Sequence, residues 1–598
     1  MPIFLDDRCS IERRFLRREL HSSPINFVRE SVAERHLIEH LTHSLTLEGH
    51  EGCVNCLQWN RSGTLLASGS DDMQVFLWNI KGEKVHSFNS GHLNNIFSVQ
   101  FLPGGADEII LTASGDSSAR MHVLSGRNSD PPTVWWSDGR VKRLAVTNSD
   151  PLIFWSASED GLIKQYDART STALSLIVFP GKECKSLAIN ETRPEMIAVA
   201  LNEAAVPIYD RRNLSKPLLE LIPGHIPITK LNSRHSFRSL SVTHVGFNSL
   251  GNEMIANIGG EQIYIFNVLD RVNEPDTLQS LNEVFERNVP YSENIDNIEQ
   301  KGSERFKATR ERAKIHFNNR EYTNAIEMYS YAVLECEKLC GTDPPPDREY
   351  AIDLSILLSN RGACYLRRLW EGDAYASLMD MIRALKIEPR NTKLYYRIVK
   401  ALVELKQYDS ARKIIQSFKQ RFPGYVMADR LDGMVDDNST TEVEWKSSTT
   451  SDYMQRLCGH CNTNTDIKEA VWFGGNDEFI AAGSDCGSLF IWERNSGALI
   501  KGFKADNNIL NCVQPHPSCC LLATSGIERV IRFWEPLNKN VSEADSCREH
   551  RNLSTLCAEN QRRMNTGFFE MVVASIGFAV QNDFDDERQD RNFGCNTS

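Results

Sequence analysis

The stretch "GHEGCVNCLQWNRSGTLLASGSDDMQVFLWN", residues 49–79, alternates short apolar runs with polar turns, a pattern that is typical of antiparallel strands. It opens with Gly-His, closes with Trp-Asn, and contains three strand-like runs separated by "NRSG" and "DDM". Similar runs that end in an aromatic and a polar residue recur along the chain. The stretch is therefore predicted to be one unit of a repeat.

The repeat has a period of ~40–45 residues with Gly-His early and Trp-Asp late, which is typical of a WD-repeat propeller blade. Seven units predict a closed all-β seven-bladed WD-repeat propeller, because closure protects the edges of the sheets. The run "HSLTL" at 43–47 is predicted to supply the last strand of blade seven. The first unit closes at "QVFLWN", and the later units close at "ARMHV" (119–123), "IKQYD" (163–167), "VPIYD" (206–210), "IYIFN" (263–267), "LFIWE" (489–493) and "IRFWE" (531–535).

The first two units contain polar residues that resemble the buried hydrogen-bond set of WD repeats. A buried His or Asp needs partners, so the set is interpreted as structural rather than catalytic. The residues are His50, Ser68, Asp72 and Trp78 in blade one, and His92, Thr112 and Asp116 in blade two, where His122 replaces the tryptophan.

Between the fifth and sixth closing strands, roughly 190 residues show no blade-like pattern. Residues 313–336, 357–389 and 394–423 instead place small and aromatic residues at helical spacing. This pattern is typical of tetratricopeptide (TPR) units, and three units are about the minimum for a stable solenoid. An all-α TPR solenoid is therefore predicted as an insert between blades five and six.

These patterns divide the chain into seven segments, because the flanks of the insert are polar and linker-like. The segments are an N-terminal helical segment (1–42), blades one to five (43–268), a linker (269–300), the TPR insert (301–425), a second linker (426–455), blades six and seven (456–536), and a C-terminal extension with an acidic tail (537–598).

Composition and motifs argue against several classes of function. The net charge of −12 argues against a dedicated nucleic-acid binder. The longest apolar stretch, residues 567–580, is too short to span a bilayer, so no membrane association is expected. No signal peptide is recognised, so nuclear and cytoplasmic locations are both expected.

The search for reactive groups predicts a protein that is not an enzyme and needs no cofactor. The chain has no Walker phosphate loop, no H-E-x-x-H and no G-x-S-x-G. The C-x-x-C pairs Cys53/Cys56 and Cys458/Cys461 suggest zinc or redox chemistry. Neither pair has further ligands at finger-like spacing, so structural thiols are favoured and no metal is expected.

The order propeller, TPR insert, propeller resembles the WD-and-tetratricopeptide-repeat (Adipose) family. The stretches "GHEGCVNCLQWN", "NNIFSVQFLP" and "GHCNTNTDIKEAVWFG" carry this resemblance, which covers roughly residues 10–540. The resemblance implies a non-catalytic substrate receptor of a cullin-4 RING ubiquitin ligase, docked through the damaged-DNA-binding protein 1 adaptor. It also implies a role in limiting fat storage, whereas the protein substrates are not indicated.

Receptors of this kind carry [W/Y]-D-x-R at the end of a blade, often in adjacent blades. A planar guanidinium just past the strand suits bidentate bonding to an adaptor, although [W/Y]-D is also how many blades simply end. By this resemblance the adaptor-binding residues are Tyr166, Asp167 and Arg169 in "YDAR" and Tyr209, Asp210 and Arg212 in "YDRR".

The N-terminal segment is a second candidate for docking. Two helix-like stretches, 9–20 and 28–41, precede the propeller, and similar receptors dock such a helix into the adaptor's cleft. The alternative is a helix packed on the protein's own propeller. The residues compatible with one apolar face are Val32, Leu37, Ile38 and Leu41.

The TPR surface and the free propeller face are candidate substrate-binding surfaces. A basic patch for acidic peptides and ordinary solvated helix surface are both compatible with the cations of the insert. A different class of function also stays open, namely a chromatin or transcription scaffold that binds histones or deacetylases without a ligase. The residues of the candidate patch are Lys307, Arg310, Lys314, Asn318, Lys393 and Arg397.

Overall fold

The computed structural model describes residues 34–124, 131–170, 172–226, 240–269, 304–341, 348–435, 451–536, 548–550 and 552–565. Within these ranges, 28 strands form seven antiparallel four-stranded sheets, and a block of helices lies between two groups of strands. The coarse prediction of a β-propeller with a helical insert is therefore confirmed.

The first part of the chain contains a short helix, one separate strand and four complete sheets. Within each of these sheets the four strands are consecutive in sequence. The elements are α1 (Arg35–Glu39) and β1 (Leu41–Leu47); sheet one, β2 (Val54–Trp59), β3 (Leu65–Ser70), β4 (Gln74–Asn79) and β5 (Lys84–Asn89); sheet two, β6 (Ile96–Phe101), β7 (Ile109–Ser114), β8 (Ser118–Val123) and β9 (Thr133–Trp136); sheet three, β10 (Val141–Val146), β11 (Ile153–Ser158), β12 (Leu162–Asp167) and β13 (Ala173–Val178); and sheet four, β14 (Cys184–Ile189), β15 (Met196–Leu201), β16 (Val206–Asp210) and β17 (Leu219–Leu221).

Sheets five to seven include strands that are distant in sequence. The strand after the insert completes sheet five, and strand β1 completes sheet seven. The elements are β18 (Ser241–Phe247), β19 (Glu253–Gly259), β20 (Ile263–Asn267) and β21 (Tyr453–Leu457) in sheet five; β22 (Ala470–Phe473), β23 (Phe479–Ala482), β24 (Ser488–Glu493) and β25 (Leu499–Lys504) in sheet six; and β26 (Leu510–Pro515), β27 (Leu522–Gly526), β28 (Ile531–Pro536) and β1 in sheet seven.

The seven sheets form a closed ring. Their innermost strands contact one another in the order β2, β6, β10, β14, β18, β22, β26 and back to β2. Strand β1 pairs with β28, with His43 opposite Trp534, so the prediction that residues 43–47 complete the last sheet is confirmed. Both ends of the propeller sequence therefore meet in one sheet.

The apolar core lies between the sheets rather than inside any one of them. Seven clusters of buried apolar side chains each join two neighbouring sheets. Strand β15 shows the consequence, since all six of its residues are buried. A strand buried on both faces gives a continuous apolar run instead of alternation.

The insert contains three pairs of helices in sequence order. The turns inside the pairs share one feature, a non-glycine residue with a left-handed backbone: Arg320 (φ 64°), Leu369 (φ 59°) and Lys406 (φ 58°). The same turn geometry at three equivalent places indicates a repeat. The helices are α2 (Glu304–Asn318), α3 (Tyr322–Cys340), α4 (Arg348–Arg368), α5 (Asp373–Ile387), α6 (Thr392–Glu404) and α7 (Tyr408–Arg421), followed by α8 (Met427–Asp432).

The position of the insert differs from the prediction. The sequence placed it between blades five and six, but β21 pairs with β20, with Phe266 opposite Tyr453. The insert therefore leaves after the third strand of sheet five and returns with the fourth. The reason is that in sheets one to six the outermost strand follows the third, closing strand in sequence, so the predicted boundary at 455/456 falls inside β21.

A buried ionic junction joins the insert to sheet five. Asp373, at the start of α5, is fully buried and accepts hydrogen bonds from Arg368 at 2.8 and 2.9 Å. Arg456 on β21 contacts the same carboxylate. Nearby, the hydroxyl of Tyr375 donates to Asp452 at 2.5 Å. The insert is therefore held by specific polar contacts as well as by its two chain connections.

The segments before and after the propeller also pack on it. Ile38 and Leu41 are buried against sheets six and seven, so the described part of the N-terminal helix packs on its own propeller. Residues 1–33, with the predicted helix at 9–20 and with Val32, lie outside the described residues. Helix α9 (Leu553–Asn565) packs near sheet six, where Asn560 donates to the carbonyl of Gly459 at 2.8 Å.

Candidate functional site

The turn after the third strand of sheet three holds an exposed arginine in a fixed position. Asp167 Oδ1 accepts the backbone N–H of Arg169 at 3.0 Å and its Nε–H at 2.9 Å, and Oδ2 accepts from Nη2 at 2.6 Å. The Arg169 side chain remains 66% exposed. These hydrogen bonds from Arg169 lower the pKa of Asp167 to about 2.

The turn after the third strand of sheet four repeats this geometry. Asp210 Oδ1 accepts the backbone N–H and the Nε–H of Arg212, both at 2.9 Å, and Oδ2 accepts from Nη2 at 2.7 Å. The Arg212 side chain is 72% exposed. Hydrogen bonds from Arg212 lower the pKa of Asp210 to about 2. Two neighbouring sheets thus present two guanidinium groups in the same way.

The corresponding turns of other sheets show that the arginine is not needed for the turn itself. In sheet one, Asn79 Oδ1 accepts the backbone N–H of Lys81 at 3.0 Å. In sheet five, Asn267 Oδ1 accepts the backbone N–H of Leu269, also at 3.0 Å. A short side-chain acceptor is sufficient to close such a turn. The guanidinium groups in sheets three and four are therefore additions that local folding does not require.

The two tyrosines of the predicted docking set belong to the interior of the sheets. Tyr166 is 1% exposed, its hydroxyl lies 2.9 Å from Ser156 Oγ, and its ring stacks on Phe154 at 4.7 Å. Tyr209 is half-buried, with its ring 6.0 Å from that of Phe179. The prediction of Tyr166 as a contact residue is thus corrected, since so buried a side chain supports the turn from beneath.

Sequence reasoning missed a residue that connects the turn of sheet four to sheet three. Arg211 Nη2 donates to Asp150 at 2.9 Å, and its guanidinium lies over the Trp155 ring at 4.6 Å. Asp150 lies between β10 and β11 and Trp155 lies on β11, so Arg211 joins the turn of sheet four to sheet three. The only signal in the sequence is the Arg-Arg pair of "YDRR". Arg211 contacts sheet three, whereas Arg212 is exposed and is held by Asp210.

The polar residues predicted as a buried set in sheet one are brought together. His50 lies between Asp72, at 2.9 Å from Nδ1, and Ser68, at 2.8 Å from Nε2. The indole of Trp78 donates to Ser68 at 2.9 Å. The chain of contacts joins strands β3 and β4, the turn between them and the loop that opens the repeat.

Sheet two contains the same arrangement with one substitution. His92 contacts Asp116 at 2.9 Å and Thr112 at 2.8 Å. His122 occupies the place of the tryptophan, with Nε2 3.0 Å from Thr112 Oγ1. Burial, with His92 and Arg120 nearby, lowers the pKa of His122 to about 3.

The cysteine pairs and the candidate basic patch are placed as follows. Cys53, Cys56, Cys458 and Cys461 form no disulfide bond with any described residue, and no group of metal-binding side chains occurs in the described ranges. In the insert, Arg310 pairs with Asp353 at 2.9 Å, whereas Lys393 and Arg397 line a groove. None of the described helices is sufficiently long and apolar to cross a membrane.

Comparison with known proteins gives the family. The model "WD domain, G-beta repeat" matches residues 41–79 and 497–535. The human "WD and tetratricopeptide repeats protein 1" is 31% identical over 96% of each chain. "Protein ALTERED SEED GERMINATION 2" of Arabidopsis thaliana is 26% identical over 84% of this chain and 87% of its own.

A more distant relative shares only part of the chain. The mouse "DDB1- and CUL4-associated factor 6" is 28% identical over 40% of this chain and 29% of its own length. The similarity to the human protein, by contrast, extends along nearly all of both sequences. The chain therefore belongs to the family of WD and tetratricopeptide repeats protein 1.

Proposed function

We propose that this protein is a non-catalytic substrate receptor of a cullin-4 ubiquitin ligase, docked to the damaged-DNA-binding protein 1 adaptor through the turns of sheets three and four. In this proposal the seven sheets are the seven blades of a WD propeller and the helix pairs are TPR units. The chain supplies no reactive group, and its contribution is to hold a protein target close to the ligase's partner enzyme.

The observation that carries the proposal is the pair of exposed, aspartate-held arginines on adjacent sheets. Neither arginine is required to close its turn, and no described residue other than the neighbouring acids pairs with them. Arginine is enriched at protein interfaces, where its planar group can bond several acceptors. The partial relative named as an associated factor of this adaptor and cullin supports the same assignment.

The geometry refines how the arginines would act. In both turns the aspartate already accepts from Nε and Nη2, so that edge of the guanidinium is not offered to the adaptor. The two N–H groups of Nη1 and the second N–H of Nη2 remain for acceptors on the partner. The aspartate therefore orients each arginine, and the Nη1/Nη2 edge of the guanidinium remains for the bidentate bonding expected from sequence.

The test is binding of the purified adaptor by the full chain, measured by calorimetry for wild type and for Arg169→Ala/Arg212→Ala. We expect at least about a tenfold loss of affinity, because truncating interface arginines commonly costs more than about 1.4 kcal/mol. Lys81→Ala is the matched control, since Lys81 is exposed at the equivalent position of sheet one. Thermal melting checks that each variant is folded.

The outcomes separate the receptor from the alternative functions. Loss of binding in the folded double variant, with Lys81→Ala unchanged, supports docking at sheets three and four. If the wild-type protein does not bind the adaptor, the receptor proposal is contradicted. The alternative function, a scaffold that binds histones or deacetylases, then remains. Binding that survives the double substitution moves the interface elsewhere, most simply to the N-terminal segment. The role in limiting fat storage remains a prediction from the family resemblance.

A further inference from the structure

The inner face of the helical insert forms a basic groove. The groove has a volume of about 310 Å³ and is lined by side chains of α2, α4, α6 and α8. None of its lining residues carries a carboxylate, in a chain whose net charge is −12. Its floor is apolar and aromatic. The cations that line it are Arg367, Lys393, Arg397, Lys400 and Arg430.

The arginines on the side of the insert that faces the propeller differ from those of the groove. On the side that faces the propeller, the arginines are neutralised: Arg361 pairs with Asp380, and Arg368 and Arg456 pair with Asp373. In the groove, by contrast, Arg367, Lys393, Lys400 and Arg430 form no ion pair with any described residue. The groove therefore brings four cations that have no ion-pair partner among the described residues onto one surface.

Arg397 shows the electrostatic consequence most clearly. It is half-buried in the groove wall, and its Nη1 donates to the carbonyl and hydroxyl oxygens of Ser359. Both partners are neutral, and burial lowers the pKa of Arg397. A partly buried cation without an anionic partner is costly, and an anion that enters the groove would reduce this cost.

The groove also has features that suit a peptide. The guanidinium of Arg430 lies over the Tyr396 ring at 5.1 Å, and Phe317 and Met427 complete an apolar floor. Such a surface can take an aromatic or aliphatic side chain between two acidic ones. Exposed cations spread along three helices suit an extended chain better than a single small ion.

We propose that this groove binds an acidic segment of a partner protein, with carboxylates on the five cations and an apolar side chain against Tyr396 and Phe317. An acidic occupant is chosen because its charge is complementary to that of the groove. The assignment does not depend on docking to the adaptor. The chain's own acidic tail, residues 582–598, has related chemistry, and the experiment below distinguishes it from a partner.

The test uses the full chain and a fluorescein-labelled peptide, GEDFDEDG, in fluorescence anisotropy without adaptor. We expect saturable binding that weakens as salt is added, and no binding of the uncharged analogue GQNFNQNG. Lys393→Glu/Arg430→Glu should weaken binding at least about tenfold. The matched control is Lys386→Glu/Lys413→Glu, which reverses two exposed lysines on α5 and α7, outside the groove.

A second variant and a truncation keep the result interpretable. Lys400→Gln removes one groove charge with little change of shape and should weaken binding without changing the thermal midpoint. Equal binding by wild type and the groove reversal overturns the proposal, as does an absence of binding to both the full chain and a chain lacking residues 566–598. Binding that appears only after this truncation shows that the groove holds the chain's own tail, which overturns the partner assignment.

Discussion

Buried histidines are the residues whose protonation most affects this fold. His122 is enclosed in sheet two, and burial, with His92 and Arg120 nearby, makes a proton on it unfavourable. His460 is fully buried, with Nε2 3.1 Å from Asn257 Oδ1. Burial and Lys468 lower its pKa to about 3, although Asp485 opposes this shift. Both side chains are neutral in the folded protein at physiological pH.

We expect the free energy of unfolding to fall as the pH drops below about 6.5. The folded pKa of each histidine lies below its unfolded value, so the unfolded chain takes up the proton first and is favoured by acid. Each residue should contribute a loss of about 2 kcal/mol between pH 7 and pH 5. Urea unfolding at the two pH values measures this loss.

The substitution His122→Gln should remove about one histidine's share of the loss. Glutamine keeps a polar group near Thr112 and cannot titrate in this range. The control is His36→Gln, because His36 is exposed. A pH dependence that is the same in wild type and His122→Gln would show that His122 is protonated in the folded protein.

At the scale of secondary structure, close approach of helices determines the shape of the insert. Gly362 on α4 lies against α5, and a Cβ at this position would lie 2.2 Å from Met381 Cε and 3.1 Å from Ser377 Oγ. The hydroxyl of Ser377 in turn donates to the carbonyl of Gly362 at 2.9 Å. The absence of a side chain at residue 362 therefore allows the two helices to touch.

Gly362→Leu should destabilise the insert by about 1–3 kcal/mol, because extra atoms in a packed helix interface force side chains and backbone apart. Urea unfolding followed by circular dichroism measures the change. Gly433→Leu is the control, since a Cβ there has no neighbour closer than 3.7 Å. Equal effects of the two substitutions would contradict the assigned close contact.

The elements differ in how well the sequence predicts them. The third strand of sheet six, "LFIWE", is predictable because it is buried on both faces and has an aromatic residue near its end. Strand β21, "YMQRL", lies at the outer edge with Met454 exposed, so its apolar pattern is weak. The strand that pairs with it, β20, lies before the insert in sequence, whereas β21 lies after it. No local pattern could therefore assign this strand to sheet five.

The contacts of single residues in the candidate site can likewise be predicted from the sequence only in part. The spacing of His50, Ser68, Asp72 and Trp78 predicts their contacts because each sheet repeats one geometry. The motif "YDAR" does not reveal that its tyrosine faces the core and that its aspartate occupies one edge of the guanidinium. Both facts depend on how neighbouring sheets pack, and a short stretch of sequence does not reveal that packing.

For the whole molecule, the junction at Asp373 couples the insert to the propeller. Burial alone would raise the pKa of Asp373, but Arg368 and Arg456 hold it below its ordinary value. The contribution of this carboxylate to stability is therefore complete above pH 4 or so and is lost as the pH falls through its lower folded pKa. Protonation of this carboxylate should therefore weaken the junction between the two parts.

Asp373→Asn should destabilise the protein by about 3–5 kcal/mol, because it leaves two buried guanidinium groups without a counter-charge. Urea unfolding measures the loss, and limited proteolysis shows whether the insert is released from sheet five. Asp409→Asn, in an exposed pair with Arg412, is the control and should change stability by less than about 1 kcal/mol. Similar losses for both variants would contradict the importance of the junction.

The pairing of β1 with β28 affects how the chain folds while the ribosome synthesises it. Leu47 lies opposite Ile531, so roughly 480 residues must be synthesised before β1 finds its partner, which takes about half a minute or more at ordinary rates. During this time β1 has a free strand edge, whereas the helical insert can already fold. Truncated nascent chains should therefore expose this edge to chaperones until the last sheet emerges.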